Sequence, residues 1–312
     1  MKVVNHIENF DAGVPTIITI GTFDGVHIGH RKIINRLIKA AEKSDAEATL
    51  LTFFPHPRMV LQQNSELKLL NTLDEKRKIL AETGLENLIV HPFTLDFSRL
   101  KAECFVKEVL VDQLKAEKII IGYDHRFGRN RTANIEDLRA FGKKYNFSVE
   151  EISKQDIDAV AVSSTKIRNA LNQGDLELAN SYLTQPYQLT GEIVKGKGLG
   201  KKLGYPTANL KIKEDYKLIP RQGVYVVETD IDNQHYYGIM NIGTNPTFNE
   251  AKQSIETFFF NLDHDLYGQQ ISIRLLKRLR GEKKFEGPEQ LIEAMKNDEM
   301  EAKNYIDALK HV

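Results

Sequence analysis

A single cysteine in 312 residues, Cys104, can neither close an intramolecular disulfide nor build a multi-cysteine zinc site. A reducing compartment suits such a chain. An excess of one charge is also missing, since 43 Lys and Arg face 43 Asp and Glu, and the two signs balance on either side of Gln185 as well. Without a broad field of one sign, general nucleic-acid binding and polybasic membrane-surface attachment are disfavoured, and the expected partner is a small molecule. No apolar run approaches the ~18 residues that read as a membrane span. The opening MKVVNHIENFD interrupts any signal-like stretch with polar residues. A cytoplasmic protein is expected.

What is present is organised in two textures. Up to about residue 180, short β-rich runs at 17–20, 49–54, 88–90, 118–121 and 149–152 alternate with stretches of helical period. In the first such stretch Ile33, Ile34, Leu37, Ile38 and Ala41 recur at spacings of three and four. Repeated strand, helix, strand predicts an α/β domain with a doubly wound parallel sheet. After Gln185-Pro186 the chain turns to β-rich runs at 187–194, 224–229, 236–241, 254–262 and 270–279, broken by Gly and Pro, and a helix is expected from Pro288 onward. A small β-barrel or sandwich with a terminal helix fits this pattern. The expected domains are 1–185 and 186–312.

The first strand runs into Gly21-Thr22-Phe23-Asp24-Gly25-Val26-His27-Ile28-Gly29-His30, with a helix directly behind it. In open α/β sheets the ligand crevice lies beyond the carboxyl ends of the strands, where the free N–H groups of the following helix bind anions. Gly21, Gly25 and Gly29 permit close backbone approach. His27 and His30, three residues apart, can point to one side and donate hydrogen bonds to phosphate oxygens. Three more clusters fall where such a crevice needs walls: Thr52-Phe53-Phe54-Pro55-His56-Pro57, Gly122-Tyr123-Asp124-His125-Arg126-Phe127-Gly128, and Ser163-Ser164-Thr165-Lys166-Ile167-Arg168. The last offers hydroxyls at a helix start and cations one turn on, which suits a polyphosphate. Phe54, Pro57 and Phe127 could flank a planar ring, although each alone reads as core or turn.

Together these four motifs resemble the adenylyltransferase module of the prokaryotic bifunctional riboflavin kinase/FMN adenylyltransferase family, also called FAD synthetase. The resemblance implies a nucleotidylyltransferase domain that joins AMP from ATP to FMN, releasing pyrophosphate. It places Gly21, Phe23, Asp24, Gly25, His27, Gly29, His30, Ser164, Thr165 and Arg168 around ATP. Phe54, His56, Pro57, Asp124 and Phe127 would lie around the flavin.

The second half holds Gly196-x-Gly198-x-Gly200-x3-Gly204-Tyr205-Pro206-Thr207-Ala208-Asn209-Leu210. The overlapping stretch from Gly191 to Gly198 almost spells a Walker A loop but has Gly198 where the magnesium-binding hydroxyl belongs, and glycines rather than a helix follow. A glycine-rich arch carrying Lys197, Lys201 and Lys202 can instead close over a polyphosphate. Thr207 and Asn209 add oxygen ligands of the hard kind that Mg2+ prefers. The Pro-Thr-Ala-Asn-Leu run resembles the riboflavin kinase signature of the same family, and Glu256 matches its catalytic glutamate. The resemblance thus covers nearly the whole chain. It implies ATP sites at Gly196, Lys197, Gly198, Gly200, Lys202, Gly204 and Asn209, and riboflavin, FMN and FAD as substrate or product. Mg2+ would sit at Thr207 and Asn209, and Glu256 would act as base. Strand alternation turns Ile255 and Thr257 away from Glu256.

Other residues read as structure. Cys104 falls in a helical pattern as a buried packing thiol. His6, His91, His235, His264 and His311 lack metal-ligand spacing to one another. The cluster from Arg278 to Lys284 reads as a solvated face, with Arg280 alternatively approaching the flavin or nucleotide.

Overall fold

The structure, a computed structural model, describes residues 1–62, 65–123, 125–153, 162–196, 204–244 and 253–310. It divides into two compact units, Met1–Ser164 and Thr165–Val312.

The first unit is a parallel sheet in the order β1-β4-β3-β2-β5-β6. Its strands are β1 (Lys2–Asn5), β2 (Thr16–Ile20), β3 (Glu47–Phe53), β4 (Asn87–His91), β5 (Ala116–Gly122) and β6 (Ser148–Ile152). The helices between them are α1 (Ile28–Ala41), α2 (Pro57–Leu61), α3 (Leu73–Ala81), α4 (Leu95–Ser98), α5 (Ala102–Cys104), which runs on as a π-helix over Phe105–Gln113, and α6 (Ile135–Tyr145). Central strands are buried on both faces, so alternate residues feed two cores. Ile17, Leu50 and Ile120 pack with Ile34 and Leu37 of α1 and Ile79 and Leu80 of α3. Ile18, Leu51 and Ile119 pack on the opposite face with Phe105, Leu110 and Leu138. After β2 the chain moves outward through β3 to β4, then returns to lay β5 on the other side of β2. The carboxyl ends of β2 and β5 therefore flank the topological switch point, where open α/β sheets bind ligands.

In the second unit, α7 (Ser164–Gln173, from Thr165 on) and α8 (Leu176–Leu183) precede β7 (Tyr187–Val194), β8 (Ala208–Lys211), β9 (Gly223–Ile231), β10 (Gln234–Gly243), β11 (Ser254–Phe259) and β12 (Gln270–Arg280), and α9 (Pro288–Lys310) follows. The six strands close a barrel in the order β10-β11-β8-β7-β12-β9. Ile255, Thr257 and Phe259 of β11 are buried, while Ser254, Glu256 and Phe258 between them are only part-buried. One barrel flank is covered by α9, whose Ala302 and Ile306 pack on Val224, Val226 and Ile239.

The break between units falls before α7, earlier than the change of sequence texture at Gln185. Packing accounts for the difference. The Asn180 amide of α8 donates to Leu275 O at 2.9 Å and accepts from Tyr187 N at 2.8 Å, and Arg221 N donates to Leu171 O at 3.0 Å. These bonds tie both helices to the barrel. The texture changes only where strands begin.

Candidate functional site

In the first unit the turn from Gly21 to His27 is held in an unusual backbone path. Gly25 has φ 88°, but Phe23 and Val26 also lie at positive φ, 46° and 40°. That region is strained for a bulky or β-branched side chain. Contacts from three other segments hold the turn. The Thr22 carbonyl accepts from the Thr52 hydroxyl of β3 at 3.2 Å and from Lys76 Nζ of α3 at 2.7 Å. The buried Asp24 carboxylate accepts from Leu70 N at 2.9 Å and Asn71 N at 3.4 Å, and the Asp24 carbonyl accepts from Ser164 Oγ at 2.9 Å.

The turn delivers His27 as N-cap of α1, with its Nδ1 accepting from His30 N at 3.4 Å. A neutral His27 accepting there carries its proton on Nε2. The two imidazoles stack with centroids 3.6 Å apart and planes 15° from parallel, and Phe23 packs on His30 at 4.8 Å. A Cβ on Gly29 would press within 3.3 Å of the His27 ring and of Val162, so glycine leaves the room this stack needs. Burial above all, then His27 and Lys76, holds His30 well below the ordinary imidazole range, and its buried Nδ1 has no hydrogen-bond partner among the described residues. Burial lowers Lys76, with Asp24 pulling the other way.

Of the expected residues here, Gly21, Phe23, Gly25, His27, Gly29, His30 and Ser164 are brought together around the turn. Asp24 belongs to it differently, because its carboxylate is spent on the 70–71 backbone. Phe54 packs against the core that holds Phe23 and Val26. His56 caps the five-residue α2, accepting from Arg58 N at 3.1 Å, and Pro57 fills the first helical position. Phe127 is buried against Phe105 as core. Asp124 lies outside the described residues. Thr165 and Arg168 lie on α7 in the second unit, exposed and part-buried respectively.

Lys76 was not singled out by sequence reasoning, and Thr52 only as the first residue of a cluster expected to wall the crevice. A signal existed for Lys76, since Leu73, Lys76 and Leu80 share one helix stripe behind the Thr72/Glu75 capping box. The absence of metal-ligand spacing among histidines also needs correction, because folding brings His6, Glu8 and His91 within 4.8 Å of one another. The reach from β1 to β4 hides this in sequence. The His91 Nδ1 lone pair is engaged by Ile7 N at 3.2 Å. Cys104 is part-buried rather than buried.

In the second unit the strand register sets a row on one face. Val194 pairs with Asn209, Asn209 with Glu256, and Glu256 with Asn241, across β7, β8, β11 and β10. Cross-strand partners share a face. Thr207 Oγ1 donates to Glu256 Oε2 at 3.0 Å, and a Cβ on Gly196 would collide with the Asn209 amide. Gly196, Thr207, Asn209 and Glu256 therefore converge, offering a hydroxyl, an amide oxygen and a carboxylate. Gly204, at φ 84°, opens the segment, and Tyr205 beside it donates to Glu299 Oε2 of α9 at 3.1 Å. Lys197, Gly198, Gly200, Lys201 and Lys202 lie outside the described residues. Arg280 is neither a solvated charge nor a free ligand group. It makes a bidentate pair with Asp298 of α9, at 2.8 and 2.7 Å.

Comparison with known proteins follows the same division. The FAD synthetase family model matches residues 11–166 and the riboflavin kinase model residues 183–306. Curated proteins named bifunctional riboflavin kinase/FMN adenylyltransferase are similar along nearly the whole length. One from Buchnera aphidicola is 34% identical over 99% of this chain and 100% of its own, one from Listeria monocytogenes 34% over 94% and 93%, and one from Escherichia coli K12 32% over 99% of each. A crystal structure from Streptococcus pneumoniae, described as a macrolide-efflux protein, shares the fold with a TM-score of 0.87 and 28% identity, covering 97% of this chain and 99% of that one. Among the described residues, no helix is long and apolar enough to cross a membrane.

Proposed function

The chain belongs to the bifunctional riboflavin kinase/FMN adenylyltransferase family, and on that premise we propose how its residues divide two successive reactions. Riboflavin and ATP give FMN and ADP; FMN and a second ATP give FAD and pyrophosphate. We assign adenylyl transfer to residues 1–185 and phosphorylation to residues 186–312, in keeping with the two family matches.

In phosphorylation, the terminal ribityl hydroxyl of riboflavin attacks the γ-phosphorus of ATP and ADP leaves. Glu256 accepts the hydroxyl proton, and the Thr207 hydroxyl holds one carboxylate oxygen so that the other faces the substrate. Gly196, Lys197, Gly198, Gly200, Lys202 and Gly204 of the glycine-rich run are assigned to the ATP phosphates. Thr207 and Asn209 offer a hydroxyl and an amide oxygen, hard donors that fit Mg2+. When bound there, the ion offsets phosphate charge.

In adenylyl transfer, a phosphate oxygen of FMN attacks the α-phosphorus of ATP and pyrophosphate leaves. The His27 Nε2–H donates to the phosphate oxygens, and His30 beside it, kept neutral, offers its one N–H without adding a second buried charge. Neither reaction needs a covalent enzyme intermediate; positioning and electrostatics suffice. Ser164, Thr165 and Arg168 add phosphate contacts in this reading, and Phe54, His56, Pro57, Asp124 and Phe127 bound the flavin. A cytoplasmic setting accords with the lone cysteine.

The observation that carries the site assignment is the convergence of Thr207, Asn209 and Glu256 on one barrel face beside Gly196. A time course of riboflavin with ATP and Mg2+, resolving FMN from FAD by chromatography, tests it when run on the parent and on Glu256→Ala. FMN appearing before FAD in the parent, and neither in the variant, is expected. FMN production by a folded Glu256→Ala protein would remove Glu256 from the reaction.

A further inference from the structure

We infer that Lys76 is a positioning residue for adenylyl transfer, acting through the Thr22 carbonyl on the turn that presents His27 and His30. The inference rests on the reading of that histidine pair as the phosphate-binding group.

Lys76 is 4% exposed, and burying a lysine is costly unless it is paired. A helix surface would have kept it in water at no such cost. Its Nζ reaches into the first unit to Thr22 O at 2.7 Å, on the same carbonyl that the buried Thr52 hydroxyl holds at 3.2 Å. Thr22 sits directly before Phe23, the first of this turn's two non-glycine residues at positive φ. Such conformations persist only where the surroundings over-determine them, and they gather where a precise geometry is needed. The Asp24 contacts hold the far side of the same turn. Lys76 and Thr52 thus both hold its near side.

Releasing Thr22 would let Phe23 and Val26 relax toward ordinary backbone. Phe23 lies on the His30 ring at 4.8 Å, and His27 follows Val26 directly. The stacked imidazoles would then lose their placement. A displacement of about 1 Å costs on the order of a hundredfold in rate, far more than loss of one peripheral contact.

The test compares Lys76→Met, Thr52→Val, His30→Ala and the Lys76→Met/His30→Ala double variant in the full chain. It measures FAD formation from supplied FMN, with riboflavin phosphorylation as the internal control. Lys76→Met should lower kcat for FAD formation by roughly tenfold to a hundredfold with the KM for FMN unchanged, Thr52→Val should lower it less, and both should keep phosphorylation. In the His30→Ala background, Lys76→Met should add little, because the two act through one feature. A merely structural lysine would lower thermal stability while sparing kcat, or would add its full effect in that background. Either result overturns the inference, as does a folded Lys76→Met that makes FAD within about twofold of the parental rate. Should Lys76→Met fail to fold, Thr52→Val decides alone, and an unchanged kcat refutes the clamp. If His30→Ala itself forms FAD at the parental rate, the site reading fails first and takes the inference with it.

Discussion

The hydroxyl of Thr207 donates to Glu256 at 3.0 Å, joining the end of the glycine-rich segment to the middle of β11. The bond leaves Thr207 beside Asn209, the pair proposed above to hold Mg2+. We expect Thr207→Val to raise the Mg2+ concentration needed for half-maximal riboflavin phosphorylation while leaving that for FMN adenylylation unchanged. Metal titrations of the two rates check this. Chelation of all divalent ion should stop both reactions, and added Mg2+ should restore them.

Glu256→Ala should depress FMN formation by about a hundredfold or more, the usual scale for a lost general base. FAD formation from supplied FMN should continue, because the two reactions are assigned to separate stretches of the chain, 1–185 and 186–312. Loss of both rates in a folded variant would contradict that assignment.

His30→Ala is expected to give the mirror image. FAD formation from FMN should fall by roughly a hundredfold to a thousandfold, as for removal of one donor to a developing charge, with phosphorylation intact. Chromatographic assay of both products in one reaction decides it.

His30 also makes stability depend on pH. Its folded pKa lies well below the ordinary value of 6.5, so above that pH the ring is neutral in folded and unfolded chains alike. As pH falls below it, the unfolded chain binds the proton first, and stability is lost until the folded ring titrates too. Thermal midpoints of the first unit should therefore fall on acidification below about pH 6.5, and less steeply in His30→Ala. Equal slopes for parent and variant would refute the attribution.

The Arg280–Asp298 pair should matter for stability rather than chemistry. Asp298 is 6% exposed, so Asp298→Ala leaves a guanidinium largely withdrawn from water, a loss on the order of 3 to 5 kcal/mol. Urea denaturation measures it. The same variant should still phosphorylate riboflavin at low temperature.

Sequence pattern located ten of the twelve strands among the described residues, because buried runs such as Ile17 to Ile20 and the alternation around Glu256 are visible in the letters. It did not find β1, a four-residue strand at the sheet's edge with polar ends, or β8. Ala-Asn-Leu-Lys has little strand preference of its own and becomes a strand because β7 and β11 pair with it on both sides. The histidine pair and its turn were legible because they are contiguous. Lys76, Thr52 and the Arg280–Asp298 pair were not, since their partners lie between 18 and 54 residues away and only tertiary packing chooses them. His56 and Phe127, expected around the flavin from their motifs, also serve the local fold, one as the cap of α2 and the other packed on Phe105.

The alternation in β11 has a bearing on how the barrel avoids misfolding. A slip of one residue in its pairing would carry Glu256 into the apolar interior and expose Ile255, Thr257 and Phe259 in its place. Burying a carboxylate among apolar side chains is costly, so the slipped arrangement is penalised. Glu256 thus acts as a register pin: the pairing that closes the barrel is also the one that keeps its carboxylate beside Thr207 and Asn209.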